Sequence, residues 1–179
     1  MVRCFIGVLI PDELKKPIVE LQGKIEKLPI KAKFVEPENL HLCFSFLGEK
    51  SEEEIEEISA KLDKLSKNFK SFEVRVKGIK LIPNERYVRV IALDVFDENR
   101  ILEGLRLEVK RIVGGDSKPA HLTLCRVKKI LEKASFLEGV KKIRDISIGK
   151  FVLSSLQLIK SELSRTGPIY TVLHESKLS

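Results

Sequence analysis

The sequence predicts an α+β fold built from two related lobes, and three observations carry that prediction. Apolar residues alternate in some segments and recur every third or fourth position in others, so strands and helices both occur. The stretches HLCFSFLG, from His41, and HLTLCRV, from His121, share one frame: histidine, an apolar residue, a thiol or hydroxyl residue, another apolar residue. Each frame lies on a predicted strand beside a helix, and no Pro-, Gly- or Ser-rich linker divides the chain. Residues 1–179 therefore read as one two-lobed domain.

The elements follow in order. RCFIGVLI, residues 3–10, is continuous and β-rich enough for a buried strand, with Pro11 and Asp12 starting a helix. Leu14, Ile18, Leu21, Ile25 and Leu28 fall on one face of that helix, which Pro29 ends. A short strand at Lys31–Val35 leads through PEN to a strand from His41 to Leu47, closed by Gly48 and an acidic run. Ser51 with Glu54 spells a capping box, and Ile55, Ile58, Leu62 and Leu65 give the second helix its apolar stripe. FEVRVKGIKLI and RYVRVIALDV are strands joined by a turn at PNE. Ile101, Leu105, Val109 and Ile112 form a helix that stops at Gly114 and Gly115. Residues 120–127 are the strand of the second frame, and a lysine-rich helix runs from about Leu131 to Arg144. FVLSSLQLIKSEL reads as one long strand, SRTGP as a turn and IYTVLHES as the last strand.

A chain of 179 residues buries enough surface to fold without staples. Cys4, Cys43 and Cys125 are odd in number, lack CxxC spacing and sit in apolar stretches, which fits buried thiols in a reducing, cytoplasmic setting. The apolar N-terminus is halted by Pro11 and Asp12 before it is long enough to span a bilayer, so no membrane partner is expected. Thirty-three Lys and Arg against 26 Asp and Glu leave a formal charge of +7, which attracts polyanions, although much of that charge lies on solvated helix faces such as SEEEIEEISAKLDKLSK.

Residues two apart on a strand share a face, so strict alternation groups His41, Cys43 and Ser45 on one side and His121, Thr123 and Cys125 on the other strand's corresponding side. Two imidazoles with short donors suit acid-base chemistry on a small anion. Neutral imidazole takes a proton from water, imidazolium gives one to a leaving oxygen, and hydroxyl donors hold phosphoryl oxygens as charge develops. A zinc site fits poorly, because His121 and Cys125 would stand roughly 13 Å apart along a strand. A Cys43 nucleophile lacks an evident orienting partner. KPIVELQGK and VGGDSK do not have the spacing of a phosphate loop.

The two frames resemble the paired HxTx motifs of the two-histidine phosphoesterase superfamily. Over nearly its full length the chain is similar to the branch called RNA 2′,3′-cyclic phosphodiesterase or 2′-5′ RNA ligase, through RCFIGVLIP, FVEPENLHLCFSFLGE, YVRVIALDV, AHLTLCRV and SELSRTGPIYTVL. The resemblance implies two pseudo-symmetric α+β lobes whose antiparallel sheets form a V-shaped central cleft, with helices on the outer faces. It implies a metal-independent enzyme acting on RNA ends or tRNA fragments with a cyclic phosphate; no cofactor is expected, and the chain is expected to be a monomer in the cytoplasm. Such an enzyme opens the 2′,3′-cyclic phosphate to a 2′-phosphate, and some members join tRNA halves through a 2′-5′ bond. Carried over, His41 protonates the departing 3′ oxygen, His121 activates water and Thr123 holds a phosphoryl oxygen.

Cys43 stands where the family usually has Thr, and a thiol is the poorer donor. If a Thr-type donor is worth about 1 to 2 kcal/mol there, phosphate binding weakens roughly tenfold. Arg126 follows the second motif as a phosphate contact often does in the family, but strict alternation turns it away from His121 unless a bulge redirects it. Phe5 and Tyr170 match aromatic positions near the cleft and are candidates for stacking a base. Arg89 either lines the cleft or faces solvent, and His174, outside both frames, reads as structural or exposed. A small cyclic nucleotide or an ADP-ribose cyclic phosphate is an alternative substrate, and a non-catalytic RNA-binding module with a weakened site is an alternative role.

Overall fold

Nine strands, all paired antiparallel, and four helices make up the chain, which a computed structural model describes over residues 1–179. The order is β1 (Val2–Leu9), α1 (Asp12–Glu26), β2 (Ile30–Phe34), a 3-10 turn (Pro37–Asn39), β3 (His41–Lys50), α2 (Glu52–Ser66), β4 (Phe72–Pro83), β5 (Val88–Phe96), α3 (Ile101–Val113), β6 (His121–Ile130), α4 (Lys133–Ile143), β7 (Ser147–Leu153), β8 (Ser155–Ser164) and β9 (Gly167–Lys177). The α+β class and the helix positions agree with the periodicity. The Ser51 hydroxyl accepts from the Glu54 N–H while the Glu54 carboxylate accepts from the Ser51 N–H, so α2 starts with the reciprocal cap its sequence spells.

The sheet runs β7-β4-β5-β6-β3-β1-β8-β9, with β2 added to β6 off that path. The two sheets expected are continuous through a single pair, Leu42 opposite Leu122, where β3 meets β6. On each side of that seam four strands repeat one plan: β3-β1-β8-β9 in one half, β6-β5-β4-β7 in the other.

The segment FVLSSLQLIKSEL is not one strand. β7 pairs with β4 and β8 with β1, in opposite halves of the sheet. Leu153 is buried, Ser154 exposed and Ser155 buried, and the chain crosses from one half to the other at Ser154.

The helices trade halves. α1, which follows β1, packs on β2, β6 and β7, whereas α3, which follows β5, packs on β3. α2 covers β8 and β9, and α4 covers β4. One continuous cluster of buried apolar side chains therefore draws on both halves, including Ile18 and Leu21 of α1, Leu62 of α2, Leu105 of α3 and Phe136 of α4. Helices cover one face of the sheet and leave the other for the polar residues of the two frames.

Candidate active site

Both histidine strands carry a β-bulge at the same place in their frames. On β3, Gly7 of β1 opposes Cys43 and Ile6 opposes Ser45, leaving Phe44 as the extra residue. On β6, Ala92 of β5 opposes Thr123 and Ile91 opposes Cys125, leaving Leu124 extra. Burial follows the bulges: Phe44 and Ser45 are both buried, as are Leu124 and Cys125. Ser45 and Cys125 thus leave the polar face that strict alternation gives them. Cys125 lies in the core, away from His121, and Ser45 donates to the Gly114 carbonyl at 2.6 Å. Arg126 moves the other way and is exposed on the His121 face. Its charge acts on both His41 and Tyr170.

The seam assembles the rest. With Leu42 opposite Leu122, extending the antiparallel register by one residue each way sets His41 across from Thr123 and Cys43 across from His121. The two leucines point into the core, so His41, Cys43, His121 and Thr123 share the opposite face, each half-buried. Each histidine thus lies beside the short side chain of the other frame.

The two imidazoles are held alike. His41 Nδ1 lies 2.8 Å from the Asn39 carbonyl oxygen and His121 Nδ1 lies 2.8 Å from that of Pro119, in each case the residue two positions earlier. A carbonyl can only accept, so Nδ1 carries the hydrogen and Nε2 is left to exchange a proton with a bound group. Asn39 is buried and its side-chain amide donates to the Pro168 carbonyl at 2.8 Å, tying the first frame to β9.

Aromatic rings enclose His41. Its ring centroid is 4.8 Å from that of Phe5 and 5.3 Å from that of Tyr170, and Phe5 and Tyr170 are 5.1 Å apart. Phe5 is 3 % exposed, so it has no face left for a base; it supports the histidine instead. Tyr170 is half-buried, less enclosed than Phe5. Burial pushes its phenol up, Arg126 opposes that shift and Cys43 adds to it, a pattern that reflects how close these three groups lie.

Burial holds His41 below the ordinary imidazole value of 6.5. The bond to Asn39 opposes this, and the charges of His121 and Arg126 reinforce it. Cys43 is pushed up to about 12, chiefly by burial and then by Asp116, so the thiol stays protonated at neutral pH and offers no thiolate nucleophile. Thr123 and Cys43 are left as neutral donors.

Each frame is fastened by the segment that precedes the other. Ahead of His41, β2 pairs with β6, and the Val35 N–H donates to the Leu124 carbonyl at 3.0 Å. Ahead of His121, Asp116 exchanges both backbone bonds with Phe46, at 2.8 and 2.9 Å. Ser117 donates to the Phe44 carbonyl at 2.7 Å and accepts from the buried Arg106 of α3 at 2.8 Å, while Arg106 is neutralised by Glu103. Ser117 and Arg106 lie outside the stretches that carry the family resemblance, and Asn39, although within FVEPENLHLCFSFLGE, carries no titratable or nucleophilic group that would single it out. Their only signal in the sequence is position, just ahead of a histidine for Asn39 and Ser117 and on a helix for Arg106.

Arg89 is exposed, with its guanidinium 5.4 Å from the Tyr87 ring centroid. His174 serves the packing of α2 on β9: its Nε2 donates to Asp63 at 2.7 Å, and Ser176 donates to the same oxygen at 2.6 Å. No helix is long and apolar enough to cross a membrane.

Residues 8–92 match the family model described as LigT like Phosphoesterase. The RNA 2′,3′-cyclic phosphodiesterase of Methanocaldococcus jannaschii is 33% identical over 177 residues, covering 97% of this chain and 99% of that protein. The protein of the same name from Thermotoga maritima is 33% identical over 180 residues, covering 97% and 94%. A crystal structure of a Thermus thermophilus protein superposes with a TM-score of 0.77 at 30% identity, covering 98% of this chain and 97% of that one. Escherichia coli LigT complexed with 3′-AMP shares the fold at the same TM-score and 20% identity, covering 99% and 98%.

Proposed function

The chain belongs to the LigT-like phosphoesterase family, and on that premise we propose that it is an RNA 2′,3′-cyclic phosphodiesterase whose acid and base are His41 and His121. The observation that carries this reading is the matched pair of imidazoles, each with Nδ1 on a carbonyl and Nε2 free, on one polar face beside Thr123.

In this reading His121 removes a proton from water as the oxygen attacks phosphorus. The bond from phosphorus to the 3′ oxygen breaks, and His41 delivers a proton to that oxygen. The product is a 2′-phosphate beside a free 3′ hydroxyl, and proton exchange with solvent resets the pair. Thr123, Cys43 and Arg126 take the phosphoryl oxygens as charge builds, and Tyr170 offers an edge to the terminal base. With an RNA 5′ hydroxyl in place of water the same roles give a 2′-5′ bond, and the two histidines exchange roles when the 3′ hydroxyl re-forms the cyclic phosphate and expels that 5′ oxygen.

A short RNA ending in a 2′,3′-cyclic phosphate, incubated in EDTA, tests this. The parent converts it to a 2′-phosphate, while His41→Ala and His121→Ala each lose at least about a hundredfold in turnover. A loss under about tenfold at both positions removes the mechanism.

A further inference from the structure

We propose that the outer face of β2 and the distal half of β6 form a track for the single-stranded RNA leading to the reacting phosphate, a reading that rests on the cyclic phosphodiesterase function above. Lys33 of β2 lies directly across from Arg126, and Lys31 across from Lys129. Ile30, Ala32 and Phe34 pack on the core, so the two lysines face the other way, on the Arg126 side.

Like charges directly opposite on one face of a sheet are destabilising, and here two such pairs stand in succession. None of Lys31, Lys33, Arg126, Lys128 or Lys129 has a carboxylate oxygen within 4.0 Å. The remaining like-charged cross-strand pair, Arg75 with Lys150, is relieved on both sides, by Glu98 and by Glu73. The uncompensated pairs therefore call for an anion from outside.

Their placement says which anion. Arg126 ends the track in the active site, close enough to act on His41 and Tyr170, so the charges continue away from the reacting phosphate along β6. Arg126 to Lys129 spans roughly 10 Å of strand, enough for successive phosphates of an extended chain but short for a duplex surface. Beside it, Lys133 donates to the Arg86 carbonyl at 3.2 Å, which brings Tyr87 and Arg89 to the same end. Tyr87 is 62 % exposed with Arg89 over its ring, an open platform on which an unpaired base stacks.

The experiment measures binding of a labelled RNA of about eight nucleotides, ending in a 2′-phosphate, across a salt series for the parent and for Lys31→Gln/Lys33→Gln/Lys129→Gln. Neutralising the track should weaken binding roughly tenfold or more at low salt and reduce the magnitude of the slope of log K against log salt by about 2. A dinucleotide with the same end, too short to reach Lys31 and Lys129, should change less than about twofold. Tyr87→Ala should weaken the longer RNA roughly fivefold or more. The melting temperature of the unliganded triple variant should hold or rise, because repulsion is relieved; a purely structural role for the lysines would lower it. An unchanged slope and affinity for the longer RNA would overturn the track. Conversion of the cyclic-phosphate form of the same RNA is followed in parallel. A track-dependent slope without conversion supports the track and removes the proposed reaction; conversion with an unchanged slope does the reverse.

Discussion

Leu42 opposes Leu122 at the one cross-strand pair that joins the two halves of the sheet. Both side chains are fully buried, so this apolar pair fixes the register in which His41 meets Thr123 and His121 meets Cys43. A slip of one residue in either strand would turn its histidine into the core and its leucine into the cleft. The arrangement of the four polar side chains is thus specified by core packing on the reverse of the same two strands.

Cys43 lies across from His121, where Thr123 lies across from His41, so the two donors differ only in their side-chain chemistry. Cys43→Thr should raise kcat/KM by about fivefold, since a hydroxyl donor is worth about 1 kcal/mol more than a thiol. With its thiol pushed up to about 12, Cys43 should resist iodoacetamide at pH 7 in the folded protein, and blocking it in the unfolded protein should reveal the difference. Rapid alkylation of native Cys43 would contradict its burial.

His41 titrates below 6.5 for reasons that a bound phosphate changes. Burial favours the neutral ring, and His121 and Arg126 add repulsion, whereas an anion between them would attract the proton. Histidine NMR, with the resonance assigned through His41→Ala, should place the free midpoint below 6.5 and move it upward when a nucleoside 2′-phosphate is added. As the proposed acid, His41 loses its active form as pH rises. The alkaline limb of kcat/KM, which reports the free enzyme, should therefore lie at lower pH than that of kcat. A free midpoint at or above 6.5 would remove this assignment.

The helices, the capping box at Ser51 and the two histidine strands were legible because each rests on local periodicity. The bulges at Phe44 and Leu124 were not, because an extra residue in one strand is defined only by what its partner strand opposes. That one unreadable feature explains three departures, the inward Ser45, the inward Cys125 and the outward Arg126. Phe5 was legible as an aromatic near the cleft, but whether its face was free depended on β3 and β9 packing around it. The break at Ser154 was hidden for the same reason: LSSL keeps a strand-like pattern while the chain changes neighbours.

Gly7 should not tolerate a side chain. It faces Cys43 where β1 and β3 approach, and a Cβ there would stand closer to the Leu42 carbonyl oxygen than real Cβ atoms stand to any neighbour. Because backbone must move, Gly7→Ala should destabilise the fold by about 1 to 3 kcal/mol. It should also lower kcat at temperatures where the protein is fully folded, since the displaced carbonyl lies between His41 and Cys43. Gly23→Ala is the comparison, because a Cβ there meets nothing within 4 Å. Near the C-terminal end of α1 it should leave stability unchanged or raise it by up to about 1 kcal/mol. Equal melting temperatures and kcat for parent and Gly7→Ala would contradict the close approach.

Ser117 joins two groups, the Arg106 guanidinium and the Phe44 carbonyl. Its hydroxyl accepts from Arg106 and donates to the Phe44 carbonyl at the β3 bulge, two residues ahead of the Pro119 carbonyl that orients His121. Ser117→Ala leaves the buried Arg106 short of one acceptor and Phe44 without its side-chain donor, a loss of about 1 to 3 kcal/mol. For a chain of this size that lowers the melting temperature by roughly 2 to 4 °C per kcal/mol. The same bond carries the bulge of one frame to the approach of the other. Turnover should therefore fall in Ser117→Ala well below its melting point, with KM for a dinucleotide changing less than kcat. Ser117→Thr retains the hydroxyl and should recover most of the turnover. A variant that loses stability yet keeps full kcat would make Ser117 a support of the loop alone, without a part in aiming His121.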